Sequence, residues 1–172
     1  MNKDFFKYGI LIAFLPLLQE VIFNHIHLFG FINPMIYIVF IFVFPVYKDK
    51  TYLLLAAFTL GLLIDMLSND GGINTFALVF VAYFRLLILR FIKGTSFTDV
   101  DSLDISNLGP TIQTIWILII TFIHHFLVFL FEQFSFSRFG SVLIKTFITT
   151  LLTSLLIGFG MQLFMKKKSN VW

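Results

Sequence analysis

Six long apolar segments, separated by short polar connections, constrain the fold of this chain more than any other feature. A helix needs about 20 apolar residues to cross the hydrocarbon core of a bilayer, and fewer where the bilayer thins. Hydrophobic residues make up 59% of the 172 residues and charged residues only 12%, which is too few charges for an ordinary soluble domain. We therefore predict an all-α integral membrane protein, one domain over 1–172, with six transmembrane helices at 5–23, 34–47, 51–67, 75–92, 111–131 and 141–165.

The second segment, 34–47, is short enough to be an interfacial or re-entrant piece instead of a span. The distribution of lysine and arginine favours six spans over five. With six, ten of these residues fall on one side of the membrane and two on the other, and the positive-inside rule then places both termini and the connection 93–109 in the cytoplasm. The ten are Lys3, Lys7, Lys48, Lys50, Arg85, Arg90, Lys93, Lys166, Lys167 and Lys168, and the two are Arg138 and Lys145.

Several classes of function are excluded by composition and motifs. The formal charge of +3 lies at the ends of apolar spans instead of along one basic face, so nucleic-acid binding is not expected. The chain has no cysteine, which removes disulfides and thiolate chemistry. Nucleophile elbows, phosphate loops and zinc-protease helices are missing from the sequence. We expect no enzymatic activity, no catalytic residue, no cofactor and no metal.

The four histidines do not alter this expectation. His25 and His27 lie in the connection after the first span with no carboxylate at ligand spacing beyond Glu20, so metal binding there is not favoured. His124 and His125 are neighbours on a helix and point about 100° apart, which prevents both from comfortably binding one metal ion. We expect one of them to be hydrogen-bonded inside the protein and the other to lie at the membrane interface.

A carboxylate inside the third apolar segment is the first candidate for a special role. An aspartate at the centre of a membrane helix costs about 2.5 to 3.5 kcal/mol, so Asp65 should either face protein and accept hydrogen bonds or lie near the interface. Ala57, Gly61 and Asp65 recur every four residues, and small side chains at this spacing let helix backbones approach closely. The turn residues Gly71 and Gly72 follow. A packed, hydrogen-bonded role is the primary interpretation, and direct ligand or proton chemistry is the alternative.

Arg85 is the second candidate, because it lies near the middle of the fourth segment. We expect its side chain to extend toward the charged end beside Arg90, with pairing to a buried carboxylate or carbonyl group as the alternative. Asn74 or Thr75 is expected to cap the start of the same helix. On the sixth segment Thr150, Ser154 and Gly158 mark an inward face.

These features resemble the MreD family, the rod shape-determining membrane proteins of bacteria. The resemblance rests on chain length, on six spans, and on the residues Gln19, Asn33-Pro34, Gly61-Leu-Leu-Ile-Asp65, Leu67-Ser68, Gly72 and the helix 75–85. The long, Asp-rich connection 93–109 departs from a family with compact loops.

The resemblance implies a non-enzymatic scaffold of the cell-elongation machinery in the bacterial cytoplasmic (inner) membrane. Such a scaffold binds the single-span protein MreC and acts with MreB, RodA and a class B penicillin-binding protein in lateral wall synthesis. It implies a structural or partner-binding role for the motif residues Ala57, Gly61, Asp65, Gly71, Gly72 and Arg85.

MreD folds also look like the six-helix substrate-capture subunits of energy-coupling-factor vitamin transporters. That likeness supplies the alternative function, a capture subunit with a ligand pocket at its outer face. The polar residues that could reach such a pocket are Glu20, Asp65, His124, His125 and Lys145.

Overall fold

Helices account for the regular structure of the described residues. The computed structural model describes residues 3–26, 33–45, 49–94, 109–133 and 139–164. Five helices are long and apolar enough to cross a membrane, which agrees with an all-α membrane protein. They are α1 (Lys3–Val21), α3 (Lys50–Ser68), α4 (Ile73–Lys93), α5 (Pro110–Gln133) and α6 (Phe139–Phe164), and the short α2 spans Val39–Val43.

The segment expected to form the second span is not one long helix. It consists of a 3₁₀ turn, Ile36–Ile38, followed directly by α2, and it is not among the five long helices. Helix α2 ends at Val43, and the backbone of its C-cap residue Phe44 is extended (φ −70°, ψ 127°). A residue before proline is pushed out of the helical region by the proline ring, so Pro45 explains this end.

This inserted segment, residues 33–45, runs antiparallel to α1 through the bundle. At one end the Pro34 carbonyl accepts a hydrogen bond from Gln19, near the last turn of α1. Toward the other end the Tyr8 ring, in the second turn of α1, lies 4.9 Å from the Phe44 ring. Tyr37, Ile38, Phe40, Ile41 and Phe42 are each no more than 1% exposed. The segment is therefore enclosed by protein along most of its length.

Helices α1 and α3 run in the same direction, whereas α3, α4, α5 and α6 alternate in direction. They pack in the order α1, α3, α4, α5, α6, and the inserted segment contacts α1, α4 and α6. The ends of α1 and α3 meet where Ser68 donates a hydrogen bond to Glu20. Glu132, near the end of α5, and Lys145, in the second turn of α6, line the same cavity as these two residues. The first residue of α1 and the last residue of α6 therefore both lie toward the opposite end of the bundle.

The outward faces of the first and last helices are apolar. Large side chains that are more than half exposed recur along both: Phe6, Ile10, Phe14, Leu17 and Val21 on α1, and Ile144, Phe147, Leu155 and Phe159 on α6. Thr150 and Ser154 of the predicted inward face of α6 are buried, at 4% and 9% exposure. This arrangement of apolar exterior and partly polar interior fits a lipid bilayer environment.

Candidate functional site

The turn between α3 and α4 depends on left-handed backbone conformations. Asn69 caps the end of α3 at φ 59°, and Gly71 and Gly72 adopt φ values of 64° and 94°. Glycine reaches this region without the steric cost that a Cβ atom brings. The expected glycine turn is confirmed, and it lets α4 begin immediately beside the end of α3.

Asp65 of α3 caps the first turn of α4. Its Oδ1 accepts hydrogen bonds from the Asn74 backbone N–H and from Asn74 Nδ2, each at 3.0 Å. Its Oδ2 accepts from the Thr75 backbone N–H at 2.8 Å and from the Thr75 hydroxyl. The carboxylate is 5% exposed. Asp65 therefore pairs N–H groups that the start of a helix leaves without partners. Its negative charge also interacts favourably with the positive end of the α4 dipole.

This arrangement confirms that Asp65 faces protein and accepts hydrogen bonds from the start of α4. The expectation that Asn74 or Thr75 is the cap is wrong, because α4 begins earlier, at Ile73, with Gly72 as its N-cap. Asn74 and Thr75 then lie inside the first turn, where their N–H groups are donors and need an acceptor. The acceptor comes from the preceding helix.

Gly61 brings α3 and α4 into close contact. A Cβ atom built on Gly61 would lie 2.5 Å from Thr75 Cα and 3.0 Å from Thr75 N. Ala57, one turn earlier, is fully buried. The expected close contact of the small-residue face is therefore confirmed at Gly61. We refer to Gly61, Asp65, Asn74 and Thr75 as the α3–α4 joint.

Arg85 is buried at 2% exposure, so the expectation that its side chain extends to the membrane surface beside Arg90 is wrong. Its guanidinium donates three hydrogen bonds of 2.8 Å, two from Nη1 to the carbonyls of Ile41 and Phe44 and one from Nη2 to the carbonyl of Pro45. These carbonyls belong to the end of the inserted segment, where no further helical turn can pair them. The alternative expectation, pairing with carbonyl groups, is confirmed.

The beginning of the inserted segment is held in a similar way. Gln19 donates to the Pro34 carbonyl at 3.1 Å and accepts from the Ile36 backbone N–H at 2.9 Å. The Tyr37 hydroxyl donates to Asn74 Oδ1 at 2.6 Å. Polar side chains from α1 and α4 thus satisfy both ends of a segment too short to satisfy its own backbone.

A cavity of about 310 Å³ opens at the end of the bundle where α1, α3 and α5 end. We call it the end cavity. Buried side chains line its inner part, including Gln19, Tyr37, Asn74 and Phe129, and partly exposed polar side chains surround its mouth. The full lining comprises Gln19, Glu20, Asn24, Asn33, Met35, Tyr37, Ile64, Ser68, Asp70, Asn74, Phe129, Glu132 and Lys145.

The lining of the end cavity carries more negative than positive charge, with the carboxylates Glu20, Asp70 and Glu132 and one ammonium group, Lys145. Burial raises the pKa of the Asp70 carboxyl above its usual value of 3.8, while a hydrogen bond from Asn74 acts in the opposite direction. A hydrogen-bond donor or a cation in this cavity would therefore meet favourable electrostatics.

Two of the five residues expected to reach an outer pocket, Glu20 and Lys145, line the end cavity. The Asp65 carboxylate does not line it, because its oxygens accept hydrogen bonds from Asn74 and Thr75 within the α3–α4 joint. Both His124 and His125 are fully buried, so the expectation that one lies at the interface is wrong. His124 contacts the Tyr37 hydroxyl through Nε2 at 3.3 Å, and His125 Nδ1 lies 2.8 Å from the Thr121 carbonyl oxygen.

Sequence reasoning did not single out Asn24, Tyr37, Asn74 or Glu132 as lining residues. Each is polar and lies near the end of an apolar segment, and this position is the sequence signal for a lining residue. The signal is weak, because polar residues are also common where helices leave the bilayer. His27 and most of the connection 93–109 lie outside the described residues. Within the described ranges, no group of three histidine, aspartate or glutamate side chains could hold a metal ion.

Comparisons of the chain with family models, with curated proteins and with solved structures find no match.

Proposed function

We propose that this protein is a non-enzymatic membrane scaffold of the bacterial cell-elongation machinery, similar to MreD. In this proposal it binds a single-span partner like MreC and supports cell shape and lateral wall synthesis together with MreB, RodA and a class B penicillin-binding protein. Its location is the cytoplasmic (inner) membrane, with both termini in the cytoplasm.

The observation that carries the proposal is that the residues expected to have a structural or partner-binding role all hold the helices and the inserted segment together. Gly61 and Asp65 build the α3–α4 joint, Gly71 and Gly72 form its turn, and Arg85 holds the inserted segment. Both Asp65 oxygens and both terminal nitrogens of Arg85 have hydrogen-bond partners within the fold. Such residues support a fixed internal architecture, which is what a scaffold requires, and they leave no reactive group for a substrate.

The outward face of α1 is our choice for docking the partner helix. Gly9 and Ala13 are exposed and one turn apart, and a Cβ atom added at Gly9 would meet nothing within 4 Å. Phe6 and Phe14 flank them, at 65% and 53% exposure. Helices associate in lipid through close packing of small residues, so an exposed small pair between aromatic side chains suits a single-span partner.

Orientation and span number follow from the same proposal. With Arg85 used inside the bundle, a six-span count of the sequence leaves nine lysine and arginine residues on one side and two on the other. The positive-inside rule would then place the side with nine, and both termini, in the cytoplasm. The inserted segment would then be the sixth crossing, held by side chains because it is not a complete helix. The end cavity would face the outer side of the membrane.

Co-purification and cell shape test the scaffold proposal. In cells where the Gly9→Leu variant replaces the wild-type protein, recovery of the MreC-like partner from solubilised membranes should fall and rod-shaped cells should become round. Gly140→Leu is the matched control, because Gly140 is also exposed with open space around it but lies on α6. Equal partner recovery and normal shape with Gly9→Leu would contradict docking on α1. Normal shape after complete depletion of the protein would contradict the scaffold itself.

The end cavity favours a second candidate function, the substrate-capture subunit of a vitamin transporter. A subunit of this kind needs a pocket that is open toward one side of the membrane and carries polar groups that orient the ligand, and the end cavity has such groups beside apolar ones. Purification from native membranes would then recover a transport ATPase module instead of an MreC-like protein. Depleted cells would keep their shape and lose uptake of the vitamin.

A further inference from the structure

We propose that the end cavity binds a small organic cation, an amine carrying an apolar or aromatic body. This inference does not rest on the scaffold proposal, since the cavity and the α1 docking face are separate surfaces. The inference gives a ligand class to the end cavity, the feature that favours the capture subunit as the second candidate function.

The hydrogen-bonding groups left unused in the cavity are mostly acceptors. The side-chain amides of Gln19, Asn24 and Asn74 already donate to the Asn24 amide oxygen, to carboxylates, to the Ser68 hydroxyl or to the Pro34 carbonyl. Their donor capacity is therefore consumed by the fold. A ligand would meet oxygen atoms more often than N–H groups.

Three carboxylates keep oxygen atoms available. Both hydrogen bonds that the described residues make to the Glu20 carboxylate end on Oε2, and the one to the Asp70 carboxylate ends on Oδ2. Glu132 is exposed at the cavity mouth and accepts no hydrogen bond from the described part of the chain. These free oxygens suit a ligand that donates hydrogen bonds and carries positive charge.

Asn33 supplies a separate observation. Its Oδ1 atom is shielded from solvent and has no hydrogen-bond partner among the residues described, although Asn33 lines the cavity. A buried acceptor without a partner costs about 1 to 3 kcal/mol. A donor from a bound ligand would remove this cost, and an acceptor from an anion would not.

Size and shape favour an organic cation over a metal ion. The cavity volume of about 310 Å³ lies at the lower end of the range for small-molecule sites. The carboxylates do not converge closely enough to hold a metal within the described ranges. Met35, Ile64 and the ring of Phe129 also line the cavity. They offer apolar contact to the body of the ligand, and an aromatic face attracts a nearby ammonium group.

Titration calorimetry on the full-length protein in nanodiscs tests the inference with tyramine as the probe. Tyrosol is the matched neutral compound, because a hydroxyl replaces the ammonium group and the aromatic body is unchanged. We expect saturable tyramine binding that weakens as salt is added, and much weaker binding of tyrosol. Lack of tyramine binding at millimolar concentration, or equal binding of the two compounds, would overturn the proposal.

Two charge-neutralising variants of the lining locate the site. Glu132→Gln should weaken tyramine binding about threefold and Lys145→Gln should strengthen it about threefold, which is the scale of a partly exposed charge interaction. Thermal unfolding of each variant without ligand checks that the fold is retained. Shifts in the same direction, or no shift in folded variants, would overturn the assignment to the end cavity. Neither result would bear on partner docking at Gly9, so the scaffold proposal is tested separately.

Discussion

At the scale of single residues, the cost of a carboxylate in an apolar bundle is offset by its position. Asp65 meets two backbone N–H groups, one side-chain amide and one hydroxyl. All four are donors, and two of them would be unpaired at the start of α4 without it. This explains why an acid is found at a depth where a lipid-facing one would be costly.

Substitutions of Asp65 should differ in severity. Asp65→Asn keeps one acceptor oxygen, but its NH₂ group replaces the second oxygen and faces donors that it cannot accept from. We expect this change to lower the free energy of unfolding by about 1 to 3 kcal/mol. Asp65→Leu leaves all four donors without their partner and should be worse, by about a further 1 to 3 kcal/mol. Thermal unfolding in detergent measures both. Equal losses would indicate that the negative charge, and not the pattern of acceptors, is what the site requires.

Asp70 is the neighbouring carboxylate that should behave in the opposite way. Burial raises its pKa above 3.8, so the folded protein disfavours the charged form more than the unfolded chain does. Stability from this group therefore falls as the pH rises through the interval above 3.8. Asp70→Asn should match or exceed the wild-type melting temperature at pH 7, and any gain should vanish below the usual carboxyl range. A large loss at pH 7 would contradict this prediction.

Gly61 tests the close approach of α3 and α4. Gly61→Ala places a Cβ atom 2.5 Å from Thr75 Cα, so the helices must separate and the cap on α4 must loosen. We expect destabilisation of about 1 to 3 kcal/mol by overpacking. Gly158→Ala is the control, because a Cβ atom added there would meet nothing within 4 Å and alanine favours a helix. If both variants unfold at the wild-type temperature, the two helices do not touch at Gly61.

At the scale of elements, the inserted segment is stabilised by other helices more than by its own hydrogen bonds. Helix α2 has only five residues, which is far below the length at which an isolated helix is stable. Gln19 satisfies groups at one end and Arg85 at the other. Burial of its aromatic and aliphatic side chains completes the stabilisation.

Arg85 is the residue whose loss should release this segment. Arg85→Leu leaves the carbonyls of Ile41, Phe44 and Pro45 unpaired, and we expect a loss of at least about 3 kcal/mol. Arg85→Lys should recover part of it, since an ammonium group donates hydrogen bonds but lacks the planar fork of a guanidinium. Lys93→Gln, at an exposed position of the same helix, should change stability by less than about 0.5 kcal/mol. Equal stability of Arg85→Leu and Lys93→Gln in detergent unfolding curves would contradict the role assigned to Arg85.

At the scale of the whole molecule, α1 and α3 end at the same side of the bundle, so the chain between them has to return to the opposite side. The inserted segment makes this return inside the protein, between α1, α4 and α6. Irregular backbone is tolerated at membrane depth only where protein or water surrounds it. The arrangement therefore accommodates a short segment that could not cross a bilayer by itself.

Cysteine labelling tests this arrangement in a chain that has no native cysteine. Ile26→Cys, after α1, and Ser141→Cys, at the start of α6, should react with an impermeant reagent from outside the cell. Lys50→Cys, at the start of α3, and Gly109→Cys, before α5, should react only after permeabilisation. All four positions are exposed. Labelling of Lys50→Cys from the same side as Ile26→Cys would contradict a crossing by the inserted segment.

The sequence by itself determined the membrane class, the five long helices to within a few residues at their ends, and the glycine turn. These follow from local properties, namely continuous apolar length and the backbone freedom of Gly71 and Gly72. It also predicted that Asp65 would face protein, because an unsatisfied carboxylate is too costly in lipid. The tertiary structure decided which groups satisfy it, since the donors of Asn74 and Thr75 reach Asp65 only when α3 and α4 pack at Gly61. It also directed Arg85 to carbonyls more than 40 positions earlier in the sequence and assembled the end cavity from five long helices and the inserted segment. Distances between segments far apart in the chain depend on packing, which no local pattern of residues specifies.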